Sequence, residues 1–587
     1  MTCKITKIFP HNRVFHCEID YFCDIFFHIM SVHRFIISLI IVFVSFFSYA
    51  QTGQMPKYEY RAVWLTTIEN LDWPRTLVKS PADIPLQKRE LTNILDSLQM
   101  LNVNTVLLQT RVRGDVIYPS SIEPFSKVLT GVHGGNPGYD ALAFAIEECH
   151  KRGMQLHAWL VTLPLGKAQH VRGMGRSSLK NRRPELCCLY KGSWYMEPAR
   201  QGTADYLSSL VREIVSNYDV DGIHLDYVRY PDAPKNYPDA KLYRRYGAGL
   251  SLAEWRRSNI TRIVSAVYGT VKSIKPWVRV SCAPLGKHAD LTFYSSLGYN
   301  ARNTVFQDAQ QWLRDGIMDI LFPMIYFNGN NFYPFVRDWQ ENSYGRHVVP
   351  GLAPYRLLPE YGDWDLLELK RQLYTSRSAS AHGVALFRTR HLLDNPKGFM
   401  QAYAQINNSP SLVPPLTWCA KQPPCPPTNL VGVRRGDTLA LHWTSASQAD
   451  TLPMRYNVYM SIDAPCDISD IRNYVATVSA DSIYKWSGYS LSTVHWAVTS
   501  VDAYGVESEP RYWSEKTDNR SMCRSEFTLP EPTAWGMQIV LRDAAGYILY
   551  KGRYNTRVGV SGLPSGAYML EIVSRRGAVL KRYPFTR

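Results

Sequence analysis

The chain has 587 residues, of which 45% are hydrophobic and 20% are charged, so it can form several packed domains and is neither disordered nor fibrous. Its formal net charge is +16, but no basic run is dense enough to favour nucleic acid as a partner. A globular protein with a basic surface is therefore expected.

An export signal is predicted near the N-terminus. A basic residue at Arg34 precedes an apolar run over 35–47, and small residues follow up to Ala50. This order is typical of a secretory signal peptide over 30–50, with the mature chain beginning at Gln51. The run is too short for a membrane span of about 20 residues, and an uncleaved anchor is the alternative. Residues 1–29 fit no element and indicate a start codon assigned too early.

This signal predicts an exported protein that is periplasmic, at the cell surface or secreted. After cleavage, no membrane span is expected.

Short apolar strands alternate with amphipathic helices over 51–410. Strands are predicted at 61–67, 103–110, 154–163, 221–228, 277–283, 318–326, 347–353 and 382–387. Helices are predicted around 91–101 and at 138–152, 203–218, 251–275, 304–315, 332–344, 364–379 and 395–408. Eight such pairs indicate the α/β class and a (β/α)8 TIM barrel. A doubly wound open sheet is the alternative, but no Gly-x-Gly-x-x-Gly follows the first strand to support it.

The composition changes after residue 410. Seven prolines lie between 410 and 427 and predict a stiff linker over 411–427 with few contacts between the domains that it joins. Over 428–515, period-two segments predict a small β-sandwich, and the order of Trp443, 456–459 and 496–502 resembles a fibronectin type III domain.

A second all-β segment is predicted over 530–587. Its motifs at 540–549, 558–571 and 581–585 resemble the C-terminal sorting domain of the type IX secretion system. That resemblance implies the secretion machinery as a partner at this end of the chain. A plain β accessory module is the alternative.

Candidate site residues are sought at the C-terminal ends of the strands, where (β/α)8 barrels carry their chemistry. The segment 221–231 is the most informative, because alternation places His224 and Asp226 on one face and Arg229 beyond them could keep the carboxylate ionised. The alternative for Asp226 is a structural acid that pairs with Arg229. Three further acids follow other strands, namely Asp115, Glu69 and Glu197. The aromatic and polar residues expected to line the cleft are Trp64, Arg111, Arg113, His157, Trp159, Tyr227, Tyr326 and Asn328.

The strand-end motifs together resemble the glycosyl-hydrolase-like family 10. They lie at 61–67, 71–74, 109–120, 157–159, 221–231 and 319–326, and the match runs from about 58 to 408. The resemblance implies a barrel that acts on glycans, with family members linked to cleavage of peptidoglycan strands that lack stem peptides. One departure is Tyr227, because the family often has two consecutive acids where this chain has Asp226 followed by Tyr227.

The residues themselves are compatible with hydrolysis of O-glycosyl bonds, which needs two carboxyl groups, one of them protonated. Asp226 is predicted to be the first, and Asp115, Glu69 and Glu197 are the candidates for the second. Aromatic faces could stack on sugar rings.

The two arginines after strand two, Arg111 and Arg113, could bind a substrate carboxylate such as the lactyl group of muramic acid, or they could simply pair with Asp115. No cysteine or histidine pattern indicates a metal, and no cofactor is expected.

The sequence therefore predicts an exported glycoside hydrolase acting by carboxylate chemistry on glycan strands, preferably those of bacterial peptidoglycan. The alternative is a non-catalytic carbohydrate-binding or adhesion protein built on a barrel scaffold.

Overall fold

The computed structural model describes residues 55–587 with some gaps. The gaps are 233, 295, 297, 421, 436–437, 446–452, 480–482, 488–493, 516–525, 530–536, 544–545, 561–562, 565–566, 575–576 and 587. The predicted early start and signal peptide lie outside the described residues. No helix in the described part of the chain is long and apolar enough to cross a membrane.

Eight parallel strands form the core of the N-terminal part. They are β1 (Tyr60–Leu65), β2 (Thr105–Arg111), β3 (Gln155–Val161), β4 (Gly222–Asp226), β5 (Arg279–Cys282), β6 (Ile320–Leu321), β7 (His347–Val348 and Gly351–Leu352) and β8 (Gly383–Leu386). Each strand pairs in parallel with the next one in the chain, and β1 pairs with β8. The predicted (β/α)8 barrel is confirmed.

One main helix follows each strand on the outside of the barrel. They are α1 (Ile84–Met100), α2 (Ala141–His150), α3 (Gln201–Asn217), α4 (Leu252–Ile274), α5 (Ala309–Arg314), α6 (Tyr333–Glu341), α7 (Leu366–Ser378) and α8 (Phe399–Ile406). Short helices in the loops span Lys127–Thr130, Ala168–Gly173, Leu179–Arg182, Ala240–Tyr246, Ala301–Thr304 and Thr389–Leu393. Helix α3 buries the predicted apolar stripe, and α4 begins with a capping box in which Ser251 and Glu254 bond each other's backbone N–H groups.

A small antiparallel sheet is inserted between β3 and α3, and the sequence did not predict it. Its strands are Pro164–Lys167, Cys187–Tyr190 and Ser193–Met196. Four-residue strands are too short to show a clear period of two. Because the insertion follows the C-terminal end of β3, it stands on the side of the barrel where the strand ends meet.

Antiparallel sheets make up the part of the chain beyond the barrel. The first two share a core and comprise Thr428–Arg435, Thr438–Thr444 and Ile483–Ser487, and Arg455–Ser461, Tyr474–Val478, Val494–Val501 and Arg511–Glu515. The others comprise Gln538–Asp543, Ile548–Arg553, Ala567–Val573 and Val579–Thr586, and the pair Glu526–Thr528 and Arg557–Gly559. These segments are all-β, and the two domain resemblances stay predictions.

The Pro-rich segment packs against the N-terminal end of the barrel, so the predicted spacer with few contacts is wrong for its first residues. Leu412 N–H donates to Lys57 O at 2.8 Å, and Glu59 N–H donates to Leu412 O at 2.9 Å. Further along, Pro414 O accepts from the Arg279 guanidinium inside the barrel, and Leu416 is fully buried. Prolines restrict the backbone of this segment, and here the segment lies along the N-terminal end of the barrel.

A single carboxylate connects the β-sandwich to the residues that lead into β1. Glu507 accepts hydrogen bonds from Lys57 Nζ at 2.5 Å and from the Tyr58 hydroxyl at 2.9 Å. Within its own sheet it accepts from the hydroxyls of Tyr459 and Thr499 at 2.6 and 2.5 Å. Charge-assisted bonds of this kind are stronger than neutral ones, so Glu507 holds the two domains in contact.

We expect truncation after residue 410 to destabilise the barrel, because it removes the segment that covers the N-terminal end of the barrel. In the full chain, Leu416→Ala should lower the free energy of unfolding by about 2–5 kcal/mol, the usual cost for a fully buried leucine. Denaturant unfolding monitored by tryptophan fluorescence measures both changes.

The matched control is Leu367→Ala, since Leu367 is 48% exposed on α7. It should change stability by less than about 0.5 kcal/mol. If the truncated barrel melts at the same temperature as the full chain, the Pro-rich segment is a spacer that does not stabilise the barrel.

Candidate active site

Asp226 is the last residue of β4 and lies at the C-terminal mouth of the barrel, with only 5% of its surface exposed. Both of its carboxylate oxygens accept hydrogen bonds: Oδ1 from the backbone N–H of Tyr227 at 2.7 Å, and Oδ2 from the indole Nε1–H of Trp159 at 3.2 Å. The carboxylate is therefore held in one orientation by a strand-end backbone and by an aromatic side chain of the neighbouring strand.

Tyr227 adopts a backbone conformation that is rare for an aromatic residue. Its φ is +53°, in the left-handed region, and this turn points its own N–H back at the carboxylate of Asp226. The side chain is 43% exposed at the mouth, and its ring lies 4.8 Å from the guanidinium carbon of Arg229. Unusual backbone conformations of this type are concentrated at functional sites.

Burial raises the pKa of Asp226 to about 6, although the Arg229 charge, the Tyr227 N–H and the Trp159 indole act in the opposite direction. The group is therefore protonated in mildly acidic solution, where an ordinary aspartate is ionised. A carboxyl of this kind can deliver a proton to a leaving group.

A second carboxylate, Asp232, lies in the loop that follows β4. The Arg229 guanidinium donates to its Oδ1 at 2.6 Å, and the Tyr299 hydroxyl donates to the same oxygen. Partial burial alone would raise the pKa of Asp232, but Arg229 and Tyr299 together lower it. Sequence reasoning missed Asp232, and its only signal was its place three residues after Arg229.

Aromatic rings form the floor of the mouth around Asp226. Phe387 lies between Trp64 and Tyr326, with ring centroids 6.0 and 5.5 Å away, and Tyr355 packs against Tyr326 at 6.0 Å. The Tyr326 hydroxyl is buried and has no hydrogen-bond partner among the described residues. Burial raises the pKa of Tyr326 well above its ordinary value, and the charges of Tyr355 and Asp226 raise it further. Trp64 and Trp159 are only 2% and 4% exposed, so each offers little face to a ligand.

Arg113 and Glu69 are the exposed charged pair among the predicted residues. Arg113 Nη1 lies 3.6 Å from Glu69 Oε1, and the two side chains are 34% and 68% exposed. The Arg113 charge also acts on the pKa of Tyr227, which the Asp226 charge raises above its ordinary value. Arg113 is therefore close enough to the mouth to meet a substrate anion. Asn328 is exposed in the loop after β6.

The prediction that Arg111 lines the cleft is wrong. Its guanidinium is fully buried and donates to both oxygens of Glu123 at 2.7 Å and to Thr162 O at 2.7 Å. The pairing of β2 with β3 is irregular between Gln109 and Arg111, so the alternation used to place this side chain breaks at that point. Arg111 is a structural residue of the barrel wall.

The two predicted histidines lie inside the barrel below the mouth. His224 Nε2 accepts from the Trp64 indole at 3.1 Å, which leaves the ring proton on Nδ1 to be donated to Ser281 Oγ at 3.0 Å. Burial lowers the pKa of His224 well below its ordinary value and that of His157 to about 3. His157 is paired with Leu107 near the start of β3, far from the strand end. Both are neutral core residues, and neither lines the cleft.

The remaining two predicted acids are not brought to Asp226. Asp115 is 1% exposed, and its Oδ1 accepts from the Arg113 N–H at 3.0 Å. Glu197 is 3% exposed beyond the inserted sheet, and burial raises its pKa. In the described part of the chain, no hydrogen bond or ion pair joins either acid to Asp226. Nor do the described residues include a group of three or more His, Cys, Asp or Glu placed to hold a metal ion.

Comparison with known proteins identifies the relatives of this barrel. The family model described as Glycosyl hydrolase-like 10 matches residues 59–349. Glycosyl hydrolase YngK of Bacillus subtilis (strain 168) is 30% identical over 455 residues, which cover 73% of this chain and 88% of YngK. The chain belongs to the glycosyl hydrolase-like 10 family. The resemblance predicted from the motifs is confirmed over residues 59–349.

One more relative and one solved structure are also similar to this glycosyl hydrolase-like 10 protein. Glycosyl hydrolase DigH of Escherichia coli (strain K12) is 32% identical over 298 residues, 47% of this chain and 67% of DigH. The solved structure of alpha-L-fucosidase isoenzyme 2 from Paenibacillus thiaminolyticus aligns with a TM-score of 0.40 and 17% identity, over 62% of this chain and 50% of the other.

The raised pKa of Asp226 predicts how stability depends on pH. A carboxyl whose pKa is higher in the folded chain stabilises it at low pH, and this contribution is lost as the pH rises through about 6. Between pH 4 and pH 8, we therefore expect Asp226→Asn to become more stable relative to the natural chain, by up to about 3 kcal/mol.

Thermal and denaturant unfolding at several pH values measure this shift. Asp315→Asn is the control, because Asp315 is exposed at the end of α5, away from the mouth. Parallel pH curves for Asp226→Asn and the natural chain would show that Asp226 has an ordinary pKa.

Proposed function

We propose that the chain is an exported glycoside hydrolase that cleaves glycan strands, with bacterial peptidoglycan glycan as its preferred substrate. The observation that carries the proposal is Asp226, a buried carboxyl with a pKa of about 6 at the mouth of a (β/α)8 barrel. Membership of the glycosyl hydrolase-like 10 family supports the same reaction class.

Asp226 acts in this proposal as the general acid. Its proton would pass to the glycosidic oxygen as the bond to the anomeric carbon breaks, and the carboxylate left behind would be stabilised by the Tyr227 N–H and the Trp159 indole. The exposed ring of Tyr227 would provide a stacking face for a sugar, as the sequence predicted.

An anionic strand is favoured by the charges around the mouth. Arg113 is partly exposed, and its guanidinium is paired with the exposed carboxylate of Glu69. A substrate carboxylate can replace Glu69 at little cost, because exposed ion pairs are weak. The chain as a whole carries +16. Peptidoglycan glycan carries lactyl carboxylates, whereas chitin of the same backbone is neutral.

We expect the full chain to hydrolyse peptidoglycan strands freed of stem peptides, and Asp226→Asn to lower kcat/KM at least about a hundredfold, because a general acid contributes that much. In the natural chain, kcat/KM should fall about tenfold per pH unit above pH 6, as the acid loses its proton. Mass spectrometry of the products, taken across pH, measures both.

Asp315→Asn provides the control for the change of charge and should retain full activity with the natural pH profile. Tight binding of the strands without any cleavage by the folded natural chain would make this a glycan-binding protein and contradict the proposal.

Arg113→Gln should weaken binding of strands that carry lactyl carboxylates and remove most of the salt dependence of that binding. Exposed charges are screened beyond about 8–10 Å at physiological ionic strength, so the natural chain should lose affinity for these strands as salt rises. A neutral chitin oligosaccharide of equal length should bind equally well to both proteins. Isothermal titration calorimetry at two salt concentrations gives the comparison.

The control is Arg337→Gln, which makes the same charge change at an exposed position on the outer helix α6. It should leave affinity and salt dependence unchanged. Equal effects of the two variants would show that only net charge matters and that Arg113 does not contact the strand.

A further inference from the structure

The small sheet inserted after β3 begins beside the candidate acid. The backbone N–H and the hydroxyl of Thr162 both donate to Asp226 O at 2.9 Å, two residues before the first inserted strand. In the inserted sheet, the Tyr190 hydroxyl donates to Lys235 O at 2.9 Å, in the loop that follows β4. The insertion, which we define as residues 164–200, is therefore attached to the rim of the mouth next to Asp226.

The insertion also packs against Arg113, the partly exposed cation of the mouth. A β-carbon at Gly166 would lie 3.0 Å from Arg113 Cδ and 3.0 Å from Cδ2 of His170. Gly166 has a φ of +98°, so both its backbone conformation and this close approach require glycine. The insertion therefore continues the surface to which Arg113 belongs.

The insertion has a large excess of positive charge. Between residues 164 and 200 the chain has eight lysines and arginines but only two acids, Glu185 and Glu197, and Glu197 is buried. Glu185 pairs with Arg183 at 2.5 Å. The exposed cations are Lys167, Arg172, Arg176, Arg182, Arg183, Lys191 and Arg200.

Three of these cations, Lys167, Arg172 and Arg176, lie close to Gly166 in the chain. Within the part of the chain that the structure describes, their side chains form no ion pair and no hydrogen bond. Exposed like charges without partners create a positive potential that attracts anions. The three are four or five residues apart, whereas a compact phosphate site gathers its donors around one anion. Charges at intervals instead fit a polymer that carries a carboxylate on alternate sugars.

We propose that the insertion is a second strand-binding surface, so that the enzyme prefers polymeric glycan strands to oligosaccharides that fill only the mouth. This inference rests on the proposed function and adds the length of its substrate. Arg113 would contact the strand at the mouth, and Lys167, Arg172 and Arg176 would attract carboxylates further along the same strand. For an oligosaccharide that ends at the mouth, Arg113 alone would supply the positive charge.

Hydrolysis of a tetrasaccharide and of polymeric strands by the full chain tests this surface. The triple variant Lys167→Gln, Arg172→Gln, Arg176→Gln should raise KM for the polymer about tenfold, because each exposed charge contributes a factor of about two to three. Its kcat for the polymer, and both constants for the tetrasaccharide, should change less than about twofold, since the loss is one of binding alone. Added salt should raise the polymer KM of the natural chain more than that of the variant.

A charge-preserving variant distinguishes attraction from a structural role. Lys167→Arg, Arg172→Lys, Arg176→Lys should keep the preference for the polymer. Both triple variants should unfold at the temperature of the natural chain, because exposed side chains contribute little to stability.

The matched control removes three exposed charges from the outer helices. Arg89, Arg337 and Arg371 are exposed on α1, α6 and α7. Their combined replacement by Gln changes the net charge by the same amount and should leave KM for the polymer unchanged.

Equal KM values for the tetrasaccharide and the polymer in the natural chain would overturn the inference and leave the hydrolase function standing. An equal effect of the outer-helix variant would do the same. Inorganic polyphosphate should compete with the polymer no better than polygalacturonate at equal charge; stronger competition by polyphosphate would make the insertion a phosphate-binding surface and also overturn the inference. Failure of the folded chain to cleave either substrate would refute the proposed function itself, and this inference with it.

Discussion

The backbone hydrogen bonds of β7 close the barrel, and the location of the candidate site depends on that closure. Val349 N–H donates to Leu321 O at 2.9 Å on one side, and Ala385 N–H donates to Pro350 O at 3.0 Å on the other. Since all eight strands are parallel, closure brings their C-terminal ends to one rim. The end of β4 therefore lies beside the ends of β3 and β5, and Asp226 contacts Trp159, a residue 67 positions earlier in the chain.

The interior of the barrel explains why the carboxyl at this rim is hard to ionise. Below it, the rings of Trp64, His224 and Phe322 pack together, with His224 lying 6.0 Å from Trp64 and 5.3 Å from Phe322. These groups are buried and neutral, so they cannot replace water around a charge. Asp226 therefore depends on two hydrogen-bond donors and the nearby Arg229. A more polar surrounding would stabilise the carboxylate and lower its pKa, so the group would already have lost its proton in mildly acidic solution. The apolar layer therefore keeps Asp226 protonated up to about pH 6, at the cost of stability at neutral pH.

Much of the barrel was predictable because helices and strands have distinct periods. The stripe on α3 and the apolar runs of the strands gave the right order of elements, and the segment 221–231 led to Asp226 at a strand end. The positions of some side chains depend on contacts between distant residues, which the hydrophobic period of a segment does not reveal. The irregular pairing after Gln109 places the Arg111 side chain in the barrel wall. Asp232 also accepts a hydrogen bond from Tyr299, which lies 67 residues later in the chain. The Pro-rich composition could not indicate that this segment lies against the barrel.

That segment connects the two ends of the barrel through a continuous series of contacts. Pro414 O accepts from Arg279, and the Arg279 guanidinium also donates to the Tyr60 hydroxyl at 3.2 Å. The Tyr60 ring packs against Phe322 at 6.2 Å, which is part of the layer below Asp226. A carboxyl can act as a general acid only if its position is fixed to within a fraction of an ångström, and close-packed interiors transmit strain because they compress little. The aromatic layer beneath Asp226 is therefore connected, through Tyr60 and Arg279, to the Pro-rich segment at the opposite end of the barrel.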